Sequence, residues 1–400
     1  MNLILFDDHT IRGNLLPLTF TRPLADIRIG ILTIREKWEK RMQVSSSSCT
    51  EPYLQKKFPL KSDVNSDNFW INASICPNKA LISEVTQLAP GASLMKGDTL
   101  IAWHAGNKVP VASAPGRGDW PQPQVKAEAK SRFIQVKNPW DIFMLNGEAI
   151  REDFDFLTQG RASQALSSTN KALGKEIFLE EGAVVECAIL NATTGPVYIG
   201  KGAEIMEGSV IRGPFALCEH SVVKMAAKIY GPTTIGPFSK VGGELSNSVV
   251  FGYTNKAHDG FLGNSVLGEW CNLGADTNNS NLKNNYGEVK LYNYPEKTAK
   301  GTGLQFCGLI MGDHSKSGIN TMFNTGSVVG VSSNVFGGGF PEAFFPDFSW
   351  GGSDGMATYK LDKALDVATR VYDRRSLPFN EKDTKILSQI FELTKALRSK

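Results

Sequence analysis

Aliphatic residues recur at every sixth position over a long stretch in the middle of the chain. The first series of repeated positions is Ile199, Ile205, Ile211, Leu217, Val223, Ile229, Ile235 and Val241. Four places after each lies a second series, small in six of the eight cases: Ala203, Ser209, Phe215, Ser221, Ala227, Thr233, Ser239 and Leu245. A six-residue period corresponds to one short strand and one tight corner, and three repeats close a triangular coil whose neighbours stack about 4.8 Å apart. The pattern predicts a parallel β-helix with the aliphatic residues inside. A β-sandwich, the alternative, has turns at irregular spacings of about 8 to 12 residues.

The same phase returns later, at Leu267 and Leu273 and then at Met311, Phe323, Val329 and Val335. Two stretches between these segments, Gly252 to Val266 and Asp276 to Gly308, break the period and are rich in Asn, Gly and Lys. Loops that protrude from a stiff solenoid usually carry its chemistry. Functional residues are therefore expected in these two stretches.

The segment before the repeats predicts an α/β domain over residues 1–158. It begins with a short strand from Asn2 to Phe6 and continues with a helical pattern from Ile29 to Met42. The Gly- and Pro-rich stretch from Gly91 to Gln124 predicts loops and edge strands. A helix from Pro139 to Leu157 should join this domain to the β-helix, which we place at residues 176–340.

Residues 341–400 predict a C-terminal helical segment. Apolar residues lie on one helical face from Tyr359 to Tyr372 and again from Glu381 to Leu397. Two amphipathic helices in this place would cover the open end of the prism, which otherwise exposes unpaired strand edges.

Composition narrows the class of protein. The 400 residues are 41% hydrophobic and 21% charged, and no apolar run approaches the roughly 20 residues of a membrane span. The start MNLILFDDHT lacks the basic residues and cleavage site of a signal peptide. Six scattered cysteines without a CxxC pair argue against a disulfide framework and a zinc site. A net charge of +3 argues against a nucleic-acid partner. We therefore expect a cytoplasmic protein that binds neither membranes nor nucleic acids, with no metal site in the β-helix.

The first interruption carries a candidate base. It reads Asn255-Lys256-Ala257-His258-Asp259-Gly260-Phe261-Leu262-Gly263 and is followed by Asn272-Leu273-Gly274-Ala275. This resembles the acetyltransferase half of the bifunctional glucosamine-1-phosphate acetyltransferase/N-acetylglucosamine-1-phosphate uridyltransferase family, where K-x-x-H-L-x-Y-x-G-D precedes N-x-G-A-G-T. The resemblance implies a left-handed β-helix of the hexapeptide acyltransferase type and His258 as general base. It also implies a substrate-binding role for Lys256, although Lys256 is one residue closer to the histidine than in the family.

Acyl transfer itself requires such a residue. Moving an acetyl group from a thioester to an amine or hydroxyl needs a proton acceptor that titrates near neutrality, and histidine fits best. Of the five histidines, His258 lies in a repeat-breaking loop, whereas His220 and His314 fall in repeat coils and are expected to face solvent. A structural histidine in a polar turn is the alternative interpretation of His258.

The second interruption is the candidate sugar-phosphate loop. In the family the corresponding stretch reads T-x-T-x-N-Y-D-G, and its asparagine and tyrosine contact the sugar phosphate. Here an Asn-Tyr pair stands at Asn285 and Tyr286, several residues later than in the family. Amide and ammonium groups suit a phosphorylated, hydroxylated acceptor, so Asn278, Asn281 and Lys283 are further candidates. A solvated loop without function is the alternative for each of them.

The N-terminus resembles sugar-phosphate nucleotidyltransferases, which open with a strand, a loop G-x-G-T-R that holds the nucleotide phosphates, and then P-L-T and P-K-P-L. Pro17-Leu18-Thr19 and Arg22-Pro23-Leu24 match, as does Asn138-Pro139-Trp140-Asp141 near the end of the domain. Only Gly13 remains of the glycine loop, and Arg12 is displaced. The resemblance implies weak nucleotide contacts at Arg12, Gly13, Thr19 and Arg22. Since Asp7 and Asp8 would repel phosphates, an active domain would need Mg²⁺.

The leading hypothesis is a transferase of sugar-nucleotide metabolism, around UDP-N-acetylglucosamine or a related compound. Its β-helix would transfer an acyl group from acetyl-CoA or another acyl-CoA to a sugar phosphate or sugar nucleotide, and the chain would form a homotrimer. One alternative is a Mg²⁺-dependent sugar-1-phosphate nucleotidyltransferase whose β-helix only builds the trimer. Another is a scaffold that binds sugar nucleotides without catalysis.

Overall fold

A computed structural model describes residues 1–61, 67–107 and 125–398. The chain divides into two compact units. The first comprises Met1–Leu15, Thr21–Ile27 and Leu32–Asn138, and the second comprises Leu16–Phe20, Arg28–Ile31 and Pro139–Lys400. Two short pieces from the N-terminal region therefore belong to the second unit.

The first unit is an α/β layer with a mixed sheet in the order β2-β1-β3-β6-β5-β7. Its elements are β1 (Asn2–Phe6), α1 (His9–Asn14), α2 (Ile34–Met42), β2 (Ser46–Cys49), β3 (Asn68–Asn72), β4 (Ile75–Cys76), α3 (Lys79–Thr86), β5 (Ala92–Lys96), β6 (Thr99–Gly106), β7 (Val125–Glu128) and β8 (Ile134–Gln135). Strand β1 pairs in parallel with both β2 and β3, while β6 runs antiparallel to β3 and β5.

The predicted strand from Asn2 to Phe6 is confirmed as the buried centre of this sheet. The predicted helix from Ile29 begins later, at Ile34, because Thr33 caps it and forms a capping box with Glu36. The prediction of edge strands between Gly91 and Gln124 was wrong for β5 and β6, since β6 lies between β3 and β5, and β5 lies between β6 and β7. The rest of that stretch, 108–124, lies outside the described residues.

Two helices follow, α4 (Pro139–Met144) and α5 (Asn146–Thr158), where one joining helix was predicted. Both belong to the second unit. Their buried residues include Ile142, Phe143, Ile150 and Phe154. These apolar side chains pack the helices along one face of the β-helix.

The β-helix is built from short strands. They are β9 (Lys171–Leu173), β10 (Ile177–Leu179), β11 (Val184–Val185), β12 (Ile189–Asn191), β13 (Val197–Ile199), β14 (Glu204–Ile205), β15 (Val210–Arg212), β16 (Phe215–Leu217), β17 (Val222–Val223), β18 (Lys228–Tyr230), β19 (Thr233–Ile235), β20 (Lys240–Val241), β21 (Glu244–Ser246), β22 (Val249–Val250), β23 (Asn255–Lys256), β24 (Phe261–Gly263), β25 (Val266–Leu267), β26 (Asn278–Asn279), β27 (Lys290–Asn293), β28 (Thr298–Gly301), β29 (Ile310–Met311), β30 (Lys316–Ser317), β31 (Met322–Phe323), β32 (Val328–Val329), β33 (Asn334–Val335), β34 (Phe344–Phe345), β35 (Ser349–Gly352) and β36 (Gly355–Thr358).

These strands form three parallel faces, and the predicted fold class is confirmed. Face 1 has nine strands from β10 to β34, face 2 begins with β11-β14-β17-β20-β23, and face 3 contains β9-β12-β15-β18-β21-β24. The predicted aliphatic series lies inside, with residues such as Ile199, Val223 and Val241 fully buried. Strands β27 and β28 form an antiparallel hairpin within the second interruption.

The small residues of the second series are buried at the corners, as predicted. Ser221 Oγ donates to Gly236 O at 2.8 Å, and Ser239 Oγ donates to Phe251 O at 2.7 Å. Each hydroxyl therefore bonds to the carbonyl of a following coil. The small side chain both fits the corner and links two coils.

The predicted break from Gly252 to Val266 was wrong, because the coils continue through it. Asn255 and Lys256 pair in register with Lys240 and Val241, and β24 pairs with β21. The six-residue pattern is hidden by two shortened coils and by Lys256, which occupies an inward position. A real insertion, with the hairpin, occupies most of the second stretch.

An aromatic column follows the corner between faces 1 and 2, formed by His220, Phe238, Tyr253, Trp270 and His314. All five have φ between 53° and 63°, and successive ring centroids lie 5.1, 5.0, 4.2 and 6.3 Å apart. The prediction that His314 faces solvent was wrong, since it is 7% exposed and stacks beside Trp270. His220, at the other end of the column, is exposed as predicted.

Two C-terminal helices are confirmed, α6 (Leu361–Asp373) and α7 (Glu381–Leu393). They pack against the flank of the β-helix rather than over its end, because Tyr372 stacks on Trp270 and Phe391 contacts Phe348 edge to face. The last strand edge of face 2 is instead covered by β36, which pairs antiparallel with β35. Among the described helices, none has the length and apolar character needed to span a membrane.

A buried carboxyl group lies at the corner of the last coil. Asp347 is fully buried; its Oδ1 accepts from Val331 N at 2.6 Å and its Oδ2 accepts from Tyr294 OH at 3.0 Å. Burial raises the pKa of Asp347 to about 6, although these hydrogen bonds oppose the shift. The folded state therefore holds this proton more tightly than the unfolded chain does.

We expect the free energy of unfolding to fall as the pH rises from about 4 to about 6, because Asp347 loses its proton in this range. A carboxyl whose folded pKa exceeds its ordinary value of about 3.9 favours folding when protonated, and this contribution is lost as the pH rises through the folded pKa. A shift of this size corresponds to about 3 kcal/mol at most. Asp347→Asn keeps an acceptor for Val331 N and should raise the melting temperature at pH 7.5 but not at pH 4.5. The exposed Asp354→Asn is the control, and equal effects of Asp347→Asn at both pH values would contradict the expectation.

Candidate functional site

The interior of the β-helix becomes polar at the level of His258. Lys256 pairs with Val241, Asn279 with Phe323, and Ser317 with Val335. Residues paired in register on parallel strands point to the same side, and their three partners belong to the hydrophobic core. Lys256, Asn279 and Ser317 therefore stand at inward positions that aliphatic residues fill in the earlier coils.

Lys256 holds the corner that carries His258. Its Nζ donates to the carbonyl oxygens of His258, at 2.5 Å, and of Asp259, at 3.0 Å. The residue is only 1% exposed, and burial lowers the pKa of Lys256 to about 8, while Asp259 and Asp276 act to raise it. The ammonium group of Lys256 thus binds the loop from inside the prism, and its predicted contact with a substrate stays a prediction.

His258 lies on the outer side of this corner, between β23 and β24, and is exposed. It lines a cavity of about 510 Å³ together with Lys224, Gly243, Asp259 and Asp276. The cavity thus combines one imidazole, two carboxylates and one ammonium group. An acceptor with hydroxyl, amine or phosphate groups has partners for each in this space.

A glycine beneath the loop gives His258 its position. Gly243 has φ +75°, and a Cβ there would lie 2.9 Å from Asp259 Cα and 3.0 Å from His258 O. A larger residue would therefore strain its own backbone and displace the loop. Neither Gly243 nor Lys224 was predicted from the sequence, although the Gly242-Gly243 pair is a signal of close backbone approach.

The asparagines of the second interruption bond to the coil before them. Asn278 Oδ1 accepts from Phe261 N at 2.8 Å, and Asn279 Oδ1 accepts from Gly263 N at 2.9 Å. Asn281 Nδ2 donates to Asn264 Oδ1 at 2.8 Å. The amides of Asn278 and Asn279 replace ladder partners that the insertion removes, whereas Asn281 bonds to a side chain of the coil before it. The predicted binding residues Asn278 and Asn281 thus each have a partner within the chain.

The other predicted binding residues lie in the insertion itself. Lys283 Nζ donates to Glu288 O at 2.6 Å, and Asn285 Oδ1 accepts from Gly287 N at 3.0 Å. Tyr286 is 67% exposed. None of the three lines the cavity of His258; Ala275 and Asp276, at the start of this interruption, do so instead.

The start of the first unit differs from a phosphate-binding loop. Residues 9–14, which include Gly13, form helix α1. Arg12, Thr19 and Arg22 are 4%, 0% and 5% exposed, and Thr19 belongs to the second unit. Three of the four predicted nucleotide contacts are therefore buried in this conformation.

Arg12 forms a buried ion pair with Asp7. Arg12 Nη1 donates to Asp7 Oδ2 at 2.6 Å, and Thr50 Oγ1 donates to the same oxygen at 2.6 Å. Asp7 Oδ1 accepts from Leu24 N at 2.9 Å. Both carboxylate oxygens of Asp7 are thus engaged by protein donors. The expected Mg²⁺ does not fit this place, and within the described residues no cluster of three or more potential ligands could hold a metal ion.

Comparison with known proteins supports the resemblance found in the motifs. Residues 3–162 match the family described as sugar nucleotidyl transferase. The chain is 27% identical over 246 residues to the bifunctional protein GlmU of Methanocaldococcus jannaschii, covering 62% of this chain and 49% of the relative. It is 32% identical over 208 residues to GlmU of Methanococcus maripaludis, covering 52% and 44%.

A third relative, 27% identical over 146 residues, is the bifunctional sugar-1-phosphate nucleotidylyltransferase/acetyltransferase of Sulfurisphaera tokodaii, with 36% of each chain covered. The chain spans about half the length of the first two relatives. Among solved structures, UDP-N-acetylglucosamine acyltransferase from Campylobacter jejuni matches 56% of this chain and 84% of its own, with 16% identity and a TM-score of 0.27. The predicted resemblance to GlmU-like proteins is confirmed.

Replacing Lys256 by Leu should make the loop that carries His258 more mobile without lowering the stability of the fold. The leucine restores an aliphatic residue at an inward position and removes a desolvated charge, so the melting temperature should stay level or rise. The carbonyls of His258 and Asp259 lose their donor, and the backbone amides of residues 257–260 should exchange with solvent faster. The measurement is hydrogen exchange by mass spectrometry beside a thermal melt.

Lys201→Leu, the same change at an exposed corner, is the matched control. It should leave exchange at residues 257–260 unchanged. If Lys256→Leu lowered the melting temperature and left loop exchange as in the wild type, Lys256 would be a core residue without a role in holding the loop.

Proposed function

We propose that the chain is a transferase of sugar-nucleotide metabolism whose β-helix transfers an acyl group from an acyl-CoA, most simply acetyl-CoA, to a sugar phosphate or sugar nucleotide. The observation that carries the proposal is the exposed His258 in a polar cavity, on a corner held from inside by Lys256. The name of the Sulfurisphaera tokodaii relative, which includes acetyltransferase, supports acyl transfer.

In the proposed reaction His258 acts as the general base. An amine or hydroxyl of the acceptor attacks the thioester carbon, and the imidazole removes the proton from the attacking group. The carbon–sulfur bond breaks as the new bond to the acceptor forms, and the departing thiolate takes up the proton. Asp276 and Asp259, on the rim of the same cavity, suit hydroxyl or amine groups of a sugar.

A homotrimer and a cytoplasmic location belong to the same proposal. Face 3 carries exposed apolar residues on successive strands, with Leu173, Ile189, Val210 and Tyr230 each 39–44% exposed. Ile189 and Val210 pair in register, and side-by-side packing of three prisms would cover the exposed apolar residues of this face. The location rests on six free cysteines, which suit a reducing compartment.

The general-base role predicts a large loss of activity in His258→Ala. A thermal-shift panel of acyl-CoAs, sugar phosphates and UDP- or dTDP-sugars first identifies the ligands, since a ligand that binds only the folded state raises the melting temperature. With that pair, His258→Ala should lower kcat by about 10² to 10⁴ while the melting temperature stays within about 1 °C, because the side chain is exposed.

His220→Ala changes another exposed histidine and should keep nearly wild-type kcat. Wild-type turnover by His258→Ala would assign His258 to a polar turn. If the panel showed sugar-nucleotide binding but no acyl-CoA was consumed by the wild type, the non-catalytic scaffold would be the better account.

The first unit should transfer nucleotides poorly or not at all. Its helix α1 and the Asp7–Arg12 pair stand where a phosphate-binding loop is required, so the charge that develops on a transferring phosphate lacks donors. The assay is pyrophosphate release from an NTP and a sugar-1-phosphate with Mg²⁺, at enzyme concentrations that detect slow turnover. Robust, Mg²⁺-dependent release would instead favour the alternative in which the β-helix only builds the trimer.

A further inference from the structure

Four cations gather on face 2, next to the cavity of His258. Lys240 points outward from β20, since its neighbour Val241 points into the core. Lys224 follows β17, the strand that pairs with β20, and lines the cavity itself. Arg374 and Arg375 come directly after helix α6.

Helix α6 is held against face 2 by an aromatic contact. Tyr372 stacks on Trp270 with ring centroids 4.0 Å apart, so the two arginines that follow are held close to face 2. Burial, and then the charges of Arg375, Lys224 and Arg374, lower the pKa of Lys240, while Glu204 acts to raise it. Burial and the charges of Glu269 and Glu219 raise the pKa of Tyr253 in the aromatic column, and the charge of Arg375 opposes this shift.

The acids near the four charges do not form close ion pairs with them: Glu204 acts on Lys240 from a distance, and Asp259 and Asp276 line the cavity with Lys224. Across the described ranges of the chain, none of them forms an ion pair within 4 Å, although other surface lysines and arginines do, as Lys228 does with Glu244 and Arg370 with Asp366. The whole chain is nearly balanced, with 43 basic and 40 acidic residues. Like charges held together without partners destabilise a fold, which is typical of sites whose counter-charge comes from a ligand.

We propose that Lys224, Lys240, Arg374 and Arg375 form an anion-binding site for a phosphorylated ligand of the reaction at His258. The proposal deepens the proposed function and rests on it only for the identity of that ligand. Lys224 connects the cluster to the cavity, so one ligand can place phosphates on the cations and its reacting group near His258. Phe238 and Tyr253, both half-buried in the aromatic column, offer flat surfaces to a base or ring beside the phosphates.

Two sources supply such a ligand: the acyl donor, through the phosphates of CoA, or the acceptor, through a sugar phosphate or a UDP-sugar. The experiment measures dissociation constants of inorganic pyrophosphate, CoA, dephospho-CoA and UDP-N-acetylglucosamine by titration calorimetry at two salt concentrations. The variants are Lys240→Gln, Arg375→Gln and the double variant. The control is Arg370→Gln, which removes an exposed arginine of helix α6 that is paired with Asp366.

The double variant should bind at least one of these probes more weakly, by roughly tenfold for each charge removed, and with a shallower salt dependence. Its melting temperature should equal or exceed that of the wild type, since repulsion is relieved; a purely structural role would lower it. Weaker binding of CoA assigns the site to the donor, and weaker binding of UDP-N-acetylglucosamine assigns it to the acceptor. A selective loss of CoA over dephospho-CoA points to the 3′-phosphate.

Two results would overturn the site. One is equal affinity of the wild type and the double variant for all four probes; the other is no binding of any probe to the wild type. Pyrophosphate binding can be measured whether or not acyl transfer occurs, so the anion site and the acyl-transfer proposal are tested separately. Pyrophosphate binding that depends on Lys240 and Arg375 supports the anion site even if no acyl-CoA is turned over.

Discussion

The in-register stacking of coils is the constraint on which the rest of the β-helix depends. Each strand pairs with the strand one coil before it, so an inward residue in one coil is followed by an inward residue in the next. Side chains cannot leave this column without shifting the ladder on both sides. Whatever residue stands at an inward position must therefore be accommodated inside the prism. The column is aliphatic through Ile205, Val223 and Val241, and then meets Lys256.

Lys256, one of three polar residues at inward positions, links the scaffold to the candidate site. A buried ammonium group is costly unless donors and acceptors are matched, and the acceptors available to Lys256 are the carbonyls of the next corner. The hydrogen bonds orient the backbone that carries His258, while Gly243 leaves room for that backbone on the preceding coil. The corner that carries the imidazole is thus positioned by Lys256 from inside the prism and by Gly243 of the preceding coil. The exposed side of the corner remains open for a ligand.

The sequence pattern predicted the features that every coil repeats, but it did not predict features that depend on a single residue. The six-residue period identified the interior and the buried serines, because every coil repeats the same steric demand. It could not show that the coils continue through residues 252–266, since Lys256 in an inward position looks like a loop residue. The same limit applies to His314, whose burial depends on Trp270 and Tyr372, residues 44 and 58 positions away. The side chain of Asn278 completes the ladder of a neighbouring coil, and that of Asn281 bonds to the side chain of Asn264, contacts that no local pattern reveals.

Arg12 in the first unit and the four cations around Lys240 in the second unit differ in how their charges are paired. In the first unit Arg12 is buried against Asp7 and surrounded by Thr50 and Tyr53, so its charge is neutralised by the chain itself. A charge satisfied in this way stabilises its own surroundings and has little left for a phosphate. In the second unit the four cations around Lys240 form no ion pair within 4 Å among the described residues, and two of them follow the helix that the stacking of Tyr372 on Trp270 holds in place. Helix α6 gains stability from its packing, but folding gains nothing from bringing like charges together, and the proposed ligand would supply their counter-charge. In the proposal, phosphate binding thus falls to the second unit, since Arg12 of the first unit already has its own acid.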